Sequence, residues 1–331
     1  MSKPKTIIDM SKPKTIIDMS KPKTIIDMSK PKTIIDMSKP KTTVDSIILI
    51  DTSYTTFHRF YATLKWISMS NPQLYKAEFN NPEYNWFHNK EFMDKYEKLY
   101  LAKIEKSVGK KVFNKSLVIF CMDTPKEQVW RTTDLKCDYK SERIDLSLKN
   151  NFKPVFKYTY TKLIPNILQK YNNIYKIRLD KLEADDIIGL VAKHIEENYQ
   201  AKNVYIMSGD QDFYQLGRDN VSFINYKTKK PLVFTKEQAT YELHKKILLG
   251  DKSDCISSIF PNKFPNKIKK ELINSIDSFN TFIKQNKSIE EKYNENNKLI
   301  NFDFIPSNYT ILVVNEFNEI LNDLKTKNTI F

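Results

Sequence analysis

Three short apolar runs, each ending in an aspartate, constrain the fold of this chain most strongly. They are Ser46 to Asp51 (SIILID), Leu117 to Asp123 (LVIFCMD) and Asn203 to Asp210 (NVYIMSGD). Helical patterns lie between them, notably over Lys90 to Ser107 and Asp185 to Asn198. Strands that alternate with helices predict a Rossmann-like α/β fold with a mostly parallel sheet flanked by helices. Ligands of such sheets bind at the carboxyl ends of the strands, where these aspartates lie.

Residues 1–45 are five copies of a nonapeptide, MSKPKTIID four times and then MSKPKTTVD. The proline in each copy blocks a continuous helix, and one short copy cannot bury its Ile-Ile pair alone. We therefore expect a disordered tail over residues 1–45. Its ten lysines and five aspartates suit a tethering arm for nucleic acid, with repeat slippage as the alternative. Deletion of the tail should leave activity intact.

The remaining chain is basic, with 44 Lys and Arg against 35 Asp and Glu. This balance fits a phosphate-bearing or otherwise anionic partner. No apolar run approaches the roughly 18 residues of a membrane span, and the N-terminus lacks the apolar core of a signal peptide. We expect a soluble, intracellular protein that does not enter a membrane. The three widely spaced cysteines do not suggest a zinc ribbon or a disulfide framework.

Nine carboxylates lie at strand ends or helix starts in five separate segments. They are Asp51, Asp123, Glu183, Asp185, Asp186, Asp210, Asp212, Asp251 and Asp254. A single aspartate at such a position is usually a cap or turn residue. If all nine converge, their mutual repulsion requires a strong counter-charge. Oxygen ligands without a histidine or cysteine cluster favour Mg²⁺ or Mn²⁺, and two such ions suit phosphodiester hydrolysis.

The order of these motifs resembles the 5′ nuclease superfamily, which includes bacteriophage 5′-exonucleases, the 5′-nuclease domain of bacterial DNA polymerase I and flap endonucleases. The matching segments are IDTSYTTFHRFYA from Ile50, FCMDTPKEQVWR from Phe120, YKSER from Tyr139, LEADDIIGL from Leu182, SGDQDFYQL from Ser208 and LLGDKSD from Leu248. The resemblance implies a PIN-like catalytic domain over residues 46–235 and a nuclease with two Mg²⁺ ions, for which Mn²⁺ can substitute. Its substrates would be DNA with 5′ ends, flaps or nicks, or an RNA–DNA hybrid.

The resemblance also implies roles for individual residues. Asp51, Asp123, Glu183 and Asp185 would hold the first metal. Asp210, Asp212 and Asp254 would lie toward the second, with Asp186 and Asp251 close by. Lys140, Arg143 and Arg131 would contact the scissile phosphate, and Tyr139 would stack on a terminal base. Arg59 would meet the phosphate backbone, or alternatively form a buried ion pair.

The stretch from Leu146 to Leu179 contains no Asp or Glu and interleaves bases with aromatic residues. By resemblance it belongs to an arch over about residues 140–179, through which a 5′ end passes. Lys149, Lys153 and Lys157 would bind the strand, and the aromatic rings would stack on its bases. The alternative is that the aromatic residues form helix core and the lysines a solvated face.

After GDKSD, the resemblance implies a helix-three-turn-helix-like module that binds duplex over residues 236–290. Its usual glycine-rich hairpin would hold K⁺, but Cys255 to Asn274 contains no glycine, which argues against that ion here. Lys263, Lys267, Lys269 and Lys270 would contact the duplex phosphates instead. Residues 291–331 form a C-terminal extension, and we expect mixed α/β structure after residue 275.

These patterns together predict a monomeric, structure-dependent 5′ nuclease of replication or repair. A catalytically silent structure-specific nucleic-acid-binding protein and a PIN-type ribonuclease are the alternatives. An aspartate-nucleophile phosphatase fits less well, because Asp51-Thr52-Ser53 lacks an acid two residues on. Exonuclease and flap endonuclease activity remain equally compatible with the sequence, and no motif identifies a protein partner.

Overall fold

The computed structural model describes residues 45–135, 139–140, 152–199, 203–228 and 230–327. The predictions for the tail up to residue 44, for Arg143 and for Lys149 lie outside the described residues.

A five-stranded sheet in which every strand is parallel to its neighbours forms the centre of the fold, in the order β3-β2-β1-β4-β5. The strands are β1 (Ser46–Asp51), β2 (Leu117–Cys121), β3 (Ile174–Ile177), β4 (Asn203–Met207) and β5 (Val221–Ile224). Ile50 pairs with Phe120 on one side and with Met207 on the other. The predicted Rossmann-like, PIN-like α/β class is confirmed, and the chain order reverses between β1 and β4.

The helices cover both faces of this sheet and continue beyond it. They are α1 (Thr52–Ser70), α2 (Pro72–Glu78), α3 (Lys90–Val108), α4 (Lys110–Lys115), α5 (Trp130–Thr133), α6 (Lys153–Tyr158), α7 (Ile164–Lys170), α8 (Ala184–Asn198), α9 (Lys236–Leu249), α10 (Asn266–Asn274), α11 (Ile276–Ile283), α12 (Lys287–Ile300) and α13 (Ser307–Thr326). A π-helical turn, Thr159–Leu163, joins α6 to α7.

Alternate residues of β1 point into two different cores, as the two-residue period of a strand requires. Ile47 and Leu49 pack with residues of α8 and α13. Ile48 and Ile50 pack on the opposite face with residues of α1, α3 and α7. Because both faces are buried, β1 reads as an unbroken apolar run rather than an alternating one.

The segment α6 to α7 packs against the sheet instead of presenting its rings to a nucleic acid. Phe152 is buried, and Phe156, Tyr158 and Tyr160 pack against the core that contains Ile48. Lys153 and Lys157 are exposed on α6. The alternative interpretation, aromatic core with a solvated basic face, therefore describes these rings correctly. The stacking interpretation is wrong for them, because they contact α1 through Phe57 and Ser53 and α3 through Glu97.

Helices α9 to α12 enclose a smaller core of their own, which includes Leu248, Phe260, Leu272 and Phe279. Helix α12 crosses residue 290, where we predicted the module to end. Its buried Asn296 donates from Nδ2 to the carbonyls of Ile247 and Ser257, at 2.9 Å each. The whole of α12 thus packs with the predicted duplex-binding module.

Every regular element that the structure describes after residue 275 is a helix, so the expected mixed α/β structure is wrong there. Helix α13 buries Tyr309, Val313, Phe317 and Leu321 against the sheet domain. This spacing of about four residues is helical, whereas a strand would bury every second residue. The extension therefore completes the core of the sheet domain.

Candidate metal centre

Asp51 lies at the junction of β1 and α1, at the carboxyl end of the central strand. Its Oδ1 accepts a hydrogen bond from the Tyr54 amide at 2.9 Å, which caps α1. Its Oδ2 accepts from the Ser208 hydroxyl at 2.8 Å. Ser208 directly follows the β4 segment that pairs with β1. The parallel register thus brings the GDQD motif beside Asp51.

Asp123 follows β2 and faces the start of α8. Its Oδ1 accepts from the Ala184 amide at 2.8 Å, and its Oδ2 accepts a very short hydrogen bond from the Ser53 hydroxyl. Glu183 precedes Ala184 as the N-cap of α8. Three chain segments far apart in sequence therefore meet around Asp51, Asp123 and Glu183.

The electrostatics of this first carboxylate group show how closely its members lie. Burial and the neighbouring charge of Asp123 raise the pKa of Asp51 from 3.8 to about 7. Burial, then the charges of Asp210 and Asp51, raise the pKa of Asp185 well above its usual value. Burial also raises the pKa of Asp123, with Glu183 adding to the effect. Without a counter-charge, this group favours protonated carboxyls.

Lys140 and Tyr139 connect the first group to a second one. The Lys140 ammonium lies 2.7 Å from Glu183 Oε1 and 3.6 Å from Asp254 Oδ2. The Tyr139 hydroxyl donates to Glu183 and Asp254 at 3.0 and 3.1 Å. Burial opposes ionisation of Glu183, yet the cations of Lys140 and Arg131 hold its pKa below the usual value. These cations therefore stabilise the ionised form of Glu183.

The second group consists of Asp212, Asp251 and Asp254, which each offer a carboxylate oxygen within 4.8 Å of the other two. Asp212 follows β4, while Asp251 precedes and Asp254 ends the short 3-10 helix Lys252–Asp254 after α9. The Lys246 ammonium contacts Asp212 and lies 2.6 Å from Asp251 Oδ2. Burial opposes ionisation of Asp251, but the hydrogen bonds from Lys246 and Ser253 lower its pKa to about 2.

Both groups present oxygen ligands, as the sequence predicts for Mg²⁺ or Mn²⁺. Asp51 and Glu183 are only 8 % exposed, so burial makes their joint ionisation costly without a cation. The residues therefore fit hard divalent cations, with Asp51, Asp123, Glu183, Asp185 and Asp210 on one side and Asp212, Asp251 and Asp254 on the other.

Asp186 does not point toward either group, contrary to our prediction. Its Oδ2 accepts from the indole of Trp130 and from the Glu183 amide, at 3.1 Å each, and its Oδ1 lies 2.7 Å from Arg131. Consecutive helical residues diverge by about 100°, so Asp185 and Asp186 cannot both face the centre. Asp186 closes the capping box of α8 instead.

Arg131 and Tyr139 are likewise buried rather than placed on a substrate path. The Arg131 guanidinium is 3 % exposed, bonds to Glu183 and Asp186, and donates from Nε to the Leu299 carbonyl at 2.9 Å. The Tyr139 ring is 7 % exposed, which leaves no face for a terminal base. The predicted contacts of both residues with substrate are therefore wrong. Both residues bond to Glu183 and position it instead. Lys140 is also buried and directed at the carboxylates.

Arg59 lies inside the protein, so the predicted contact with the phosphate backbone does not fit its position. It is 6 % exposed and donates to the Leu99 carbonyl at 3.5 Å. Burial lowers its pKa, while neighbouring Tyr226, Tyr96 and Tyr100 raise it. Its surroundings are tyrosine hydroxyls and rings. The alternative prediction was a buried ion pair. Among the described residues, Arg59 forms no such pair with an acid.

The predicted nucleic-acid contacts of the duplex-binding module are four lysines around α10. Lys263, Lys267 and Lys270 are exposed around the start of α10, and Lys269 is half-buried over the ring of Phe260 at 5.3 Å. The left-handed positions near this module are Gly250 and Cys255, with φ of 71° and 62°. The glycine-less segment thus forms a turn in which a cysteine adopts the conformation that glycine favours.

Sequence reasoning missed several supporting residues. Ser53 and Ser208 orient Asp123 and Asp51, and Tyr160 Oη lies 3.0 Å from the Ser53 hydroxyl. The serines stand inside the DTS and SGD motifs, so their proximity to the aspartates was a usable signal. The sequence gives no comparable signal for Lys246, apart from its being a basic residue in the last turn of a helix.

A parallel α/β sheet that collects carboxylates at its carboxyl edge, with lysines among them, defines a metal-dependent phosphoryl-transfer enzyme. Residues 46–244 match the family model of the 5′-3′ exonuclease N-terminal resolvase-like domain. The chain belongs to this 5′-3′ exonuclease family and is a metal-dependent hydrolase of phosphodiester bonds. The predicted 5′ nuclease resemblance is thereby confirmed.

Curated relatives and solved structures agree with this assignment. The chain is 26% identical to the Ribonuclease H of Enterobacteria phage T4 over 234 residues, which are 66% of this chain and 76% of the relative. It is 30% identical to a 5′-3′ exonuclease of Buchnera aphidicola subsp. Schizaphis graminum over 167 residues, 48% of this chain and 53% of the relative.

The fold is also similar to solved structures of the phage T5 D15 protein. One was co-crystallised with metal ions (TM-score 0.55, 17% identity, 84% of this chain and 99% of that chain). Another is a complex of the D15 flap endonuclease with DNA and metal ions (TM-score 0.55, 18% identity, 85% and 99%). None of the described helices is long and apolar enough to cross a membrane.

Proposed function

We propose that the protein is a two-metal 5′ nuclease that cleaves DNA at 5′ ends, flaps or nicks. The observation that carries this proposal is the pair of carboxylate groups joined by Tyr139 and Lys140, which bond to Glu183 on one side and Asp254 on the other. Two cation sites connected in this way suit a phosphodiester held between two ions.

Different residues of the chain have different roles in this proposal. Asp51, Asp123, Glu183 and Asp185 hold the first Mg²⁺, with Asp210 close by, and Asp212, Asp251 and Asp254 hold the second. When bound, the ions lower the pKa of a water molecule and neutralise charge on the phosphate. Ser208 and Ser53 fix the orientation of two of the ligands. Lys140 supplies a positive charge beside the reacting phosphate.

The substrate class follows from the charge of the surface around this centre. Lys153 and Lys157 are exposed on α6, and Lys263, Lys267 and Lys270 are exposed at α10. These two basic surfaces suit the backbones of a single strand and of the adjoining duplex. The DNA-bound complex of the similar D15 flap endonuclease supports DNA as the substrate. Because both carboxylate groups come from one chain, we propose that the monomer is active.

Cleavage of the RNA strand of an RNA–DNA hybrid is the second candidate activity. The Ribonuclease H of phage T4 is a relative that covers two thirds of this chain. Both activities would use the same carboxylates, so they differ only in the strand that the two basic surfaces accept.

The proposal is tested with four labelled substrates: a 5′ flap, a nicked duplex, a single strand and an RNA–DNA hybrid. We expect cleavage of the flap with Mg²⁺ or Mn²⁺ and none with EDTA. Asp210→Asn and Asp212→Asn should each reduce cleavage by at least about 10³-fold, while flap affinity stays within about threefold. A protein that binds the flap but cleaves none of the substrates with either metal would be the silent binding protein instead.

A further inference from the structure

Lys246 occupies the second carboxylate group in a way that sequence reasoning did not foresee. It lies in the last turn of α9, and its ammonium contacts both Asp212 and Asp251. The Asp212 oxygen that it contacts is buried from solvent. These two acids belong to the same three-carboxylate cluster that is suited to a cation. The ammonium and a divalent ion therefore compete for the same carboxylates.

The surroundings of Lys246 allow its ammonium to move away from Asp212 and Asp251. Its side chain is 21 % exposed, against 5 % for Lys140. It lines an open cleft of about 260 Å³ together with Glu242. Glu242 precedes it by one helical turn, and Glu followed by Lys at this spacing is the favourable order for an ion pair. Glu242 now lies 3.4 Å from Lys245, so a displaced Lys246 has a second acid within reach.

We propose that Lys246 is a built-in counter-ion of the second cation site. In the cation-free protein it holds Asp212 and Asp251 together, and it moves toward Glu242 when a divalent ion takes its place. Because the second ion must displace Lys246, this ammonium lowers the affinity of the second site. This inference rests on the proposed two-metal function.

The test measures Mn²⁺ binding to protein that has been stripped of metal with EDTA and desalted. Binding is monitored by electron paramagnetic resonance of the free ion and by calorimetry. The wild type should show a tighter and a weaker site. Lys246→Met should tighten the weaker site about tenfold, because it removes a unit charge beside the incoming ion, and should leave the tighter one unchanged. The same variant should have a lower melting temperature without metal, since Asp212 and Asp251 lose their counter-charge.

Two further variants make the test independent of that substitution. Lys245→Met, which removes the lysine now paired with Glu242, should leave the tighter site unchanged and should not weaken the second, because Glu242 stays available to a displaced Lys246. Glu242→Gln should weaken the second site about threefold, because a displaced Lys246 then lacks its acceptor. Unchanged or weaker second-site binding in Lys246→Met, or unchanged binding in Glu242→Gln, would overturn the role of Lys246. A wild type with a single Mn²⁺ site would instead overturn the two-metal function on which it rests.

Discussion

The metal-free protein should lose stability as the pH rises through neutrality, because the first carboxylate group must ionise inside the protein. Asp51 is the member that defines the range, since burial and Asp123 raise its pKa from 3.8 to about 7. The folded state binds this proton more tightly than the unfolded state does. Its stabilising effect is therefore present below about pH 4 and is lost progressively as the pH rises to about 7.

The magnitude follows from the linkage relation, which assigns about 1.4 kcal/mol to each pH unit between the unfolded and folded pKa values. Because the slope flattens as the pH approaches the folded pKa, Asp51 alone should cost about 2 kcal/mol of unfolding free energy between pH 5 and pH 7. For a chain of this size, this equals a fall in melting temperature of roughly 3 to 5 °C.

Asp51→Asn provides the matched comparison. Asparagine has nearly the same shape: its Oδ1 can still accept from the Tyr54 amide, and its Nδ2 can donate to the Ser208 hydroxyl, which rotates to accept. Both proteins are unfolded with urea at several pH values in EDTA, and the difference between their unfolding free energies is plotted against pH. The difference is needed because burial and Arg59 lower the pKa of His58 to about 4, which changes stability in the opposite direction over this range. His58 is common to both proteins and cancels.

We expect the wild type to lose about 2 kcal/mol relative to Asp51→Asn from pH 5 to pH 7. Saturating Mg²⁺ should remove this loss in the wild type, because the cation stabilises the ionised carboxylates. Parallel pH profiles for the two proteins in EDTA would refute the reasoning, since Asp51 would then ionise as easily in the fold as in the unfolded chain.

Three other substitutions test separate parts of the structure. Arg131→Met should cost about 3 to 5 kcal/mol in urea unfolding, because it leaves Asp186 buried without its cation and Glu183 with Lys140 alone; a loss below 1 kcal/mol would contradict this. Gly250→Ala should cost about 2 kcal/mol or more, since φ is +71° and the added Cβ would lie 2.3 Å from the Ile256 carbonyl oxygen, whereas Gly109→Ala, with open space at its Cβ, should cost only about 1 kcal/mol. Replacing Lys263, Lys267 and Lys270 together by Gln should reduce the salt dependence of duplex binding by about two to three counterions. The same change at Lys110, Lys111 and Lys115, exposed on α4 just before β2, should not.

Strands β1, β2 and β4 and the main carboxylates could be predicted because each depends on local sequence; β3 and β5 were not predicted. A strand buried on both faces reads as an apolar run, and the aspartate that ends it must lie at the edge of the sheet. Asp51 and Asp123 are therefore predictable from their own neighbourhoods, and their convergence follows from parallel pairing.

The errors arise where a side chain's direction depends on distant partners. Asp185 and Asp186 are adjacent aspartates in the first turn of α8. Only the direction in which each side chain leaves the helix makes one a site residue and the other a capping residue. Arg131 and Tyr139 are buried by groups that lie far along the chain, Leu299 in one case and Asp254 in the other. An aromatic and basic pattern such as that of α6 is equally compatible with a binding surface and with a core, and only packing against α1 decides between them.

The end of α12 has a practical consequence for anyone who would shorten this enzyme. The Leu299 carbonyl accepts a hydrogen bond from Arg131, and the Ile300 carbonyl accepts one from the Gln215 side-chain amide at 3.1 Å. A protein cut where the family model stops, at residue 244, would lose both acceptors as well as α13. The smallest active fragment should therefore extend to the close of α13, and catalysis is a property of nearly the full folded length.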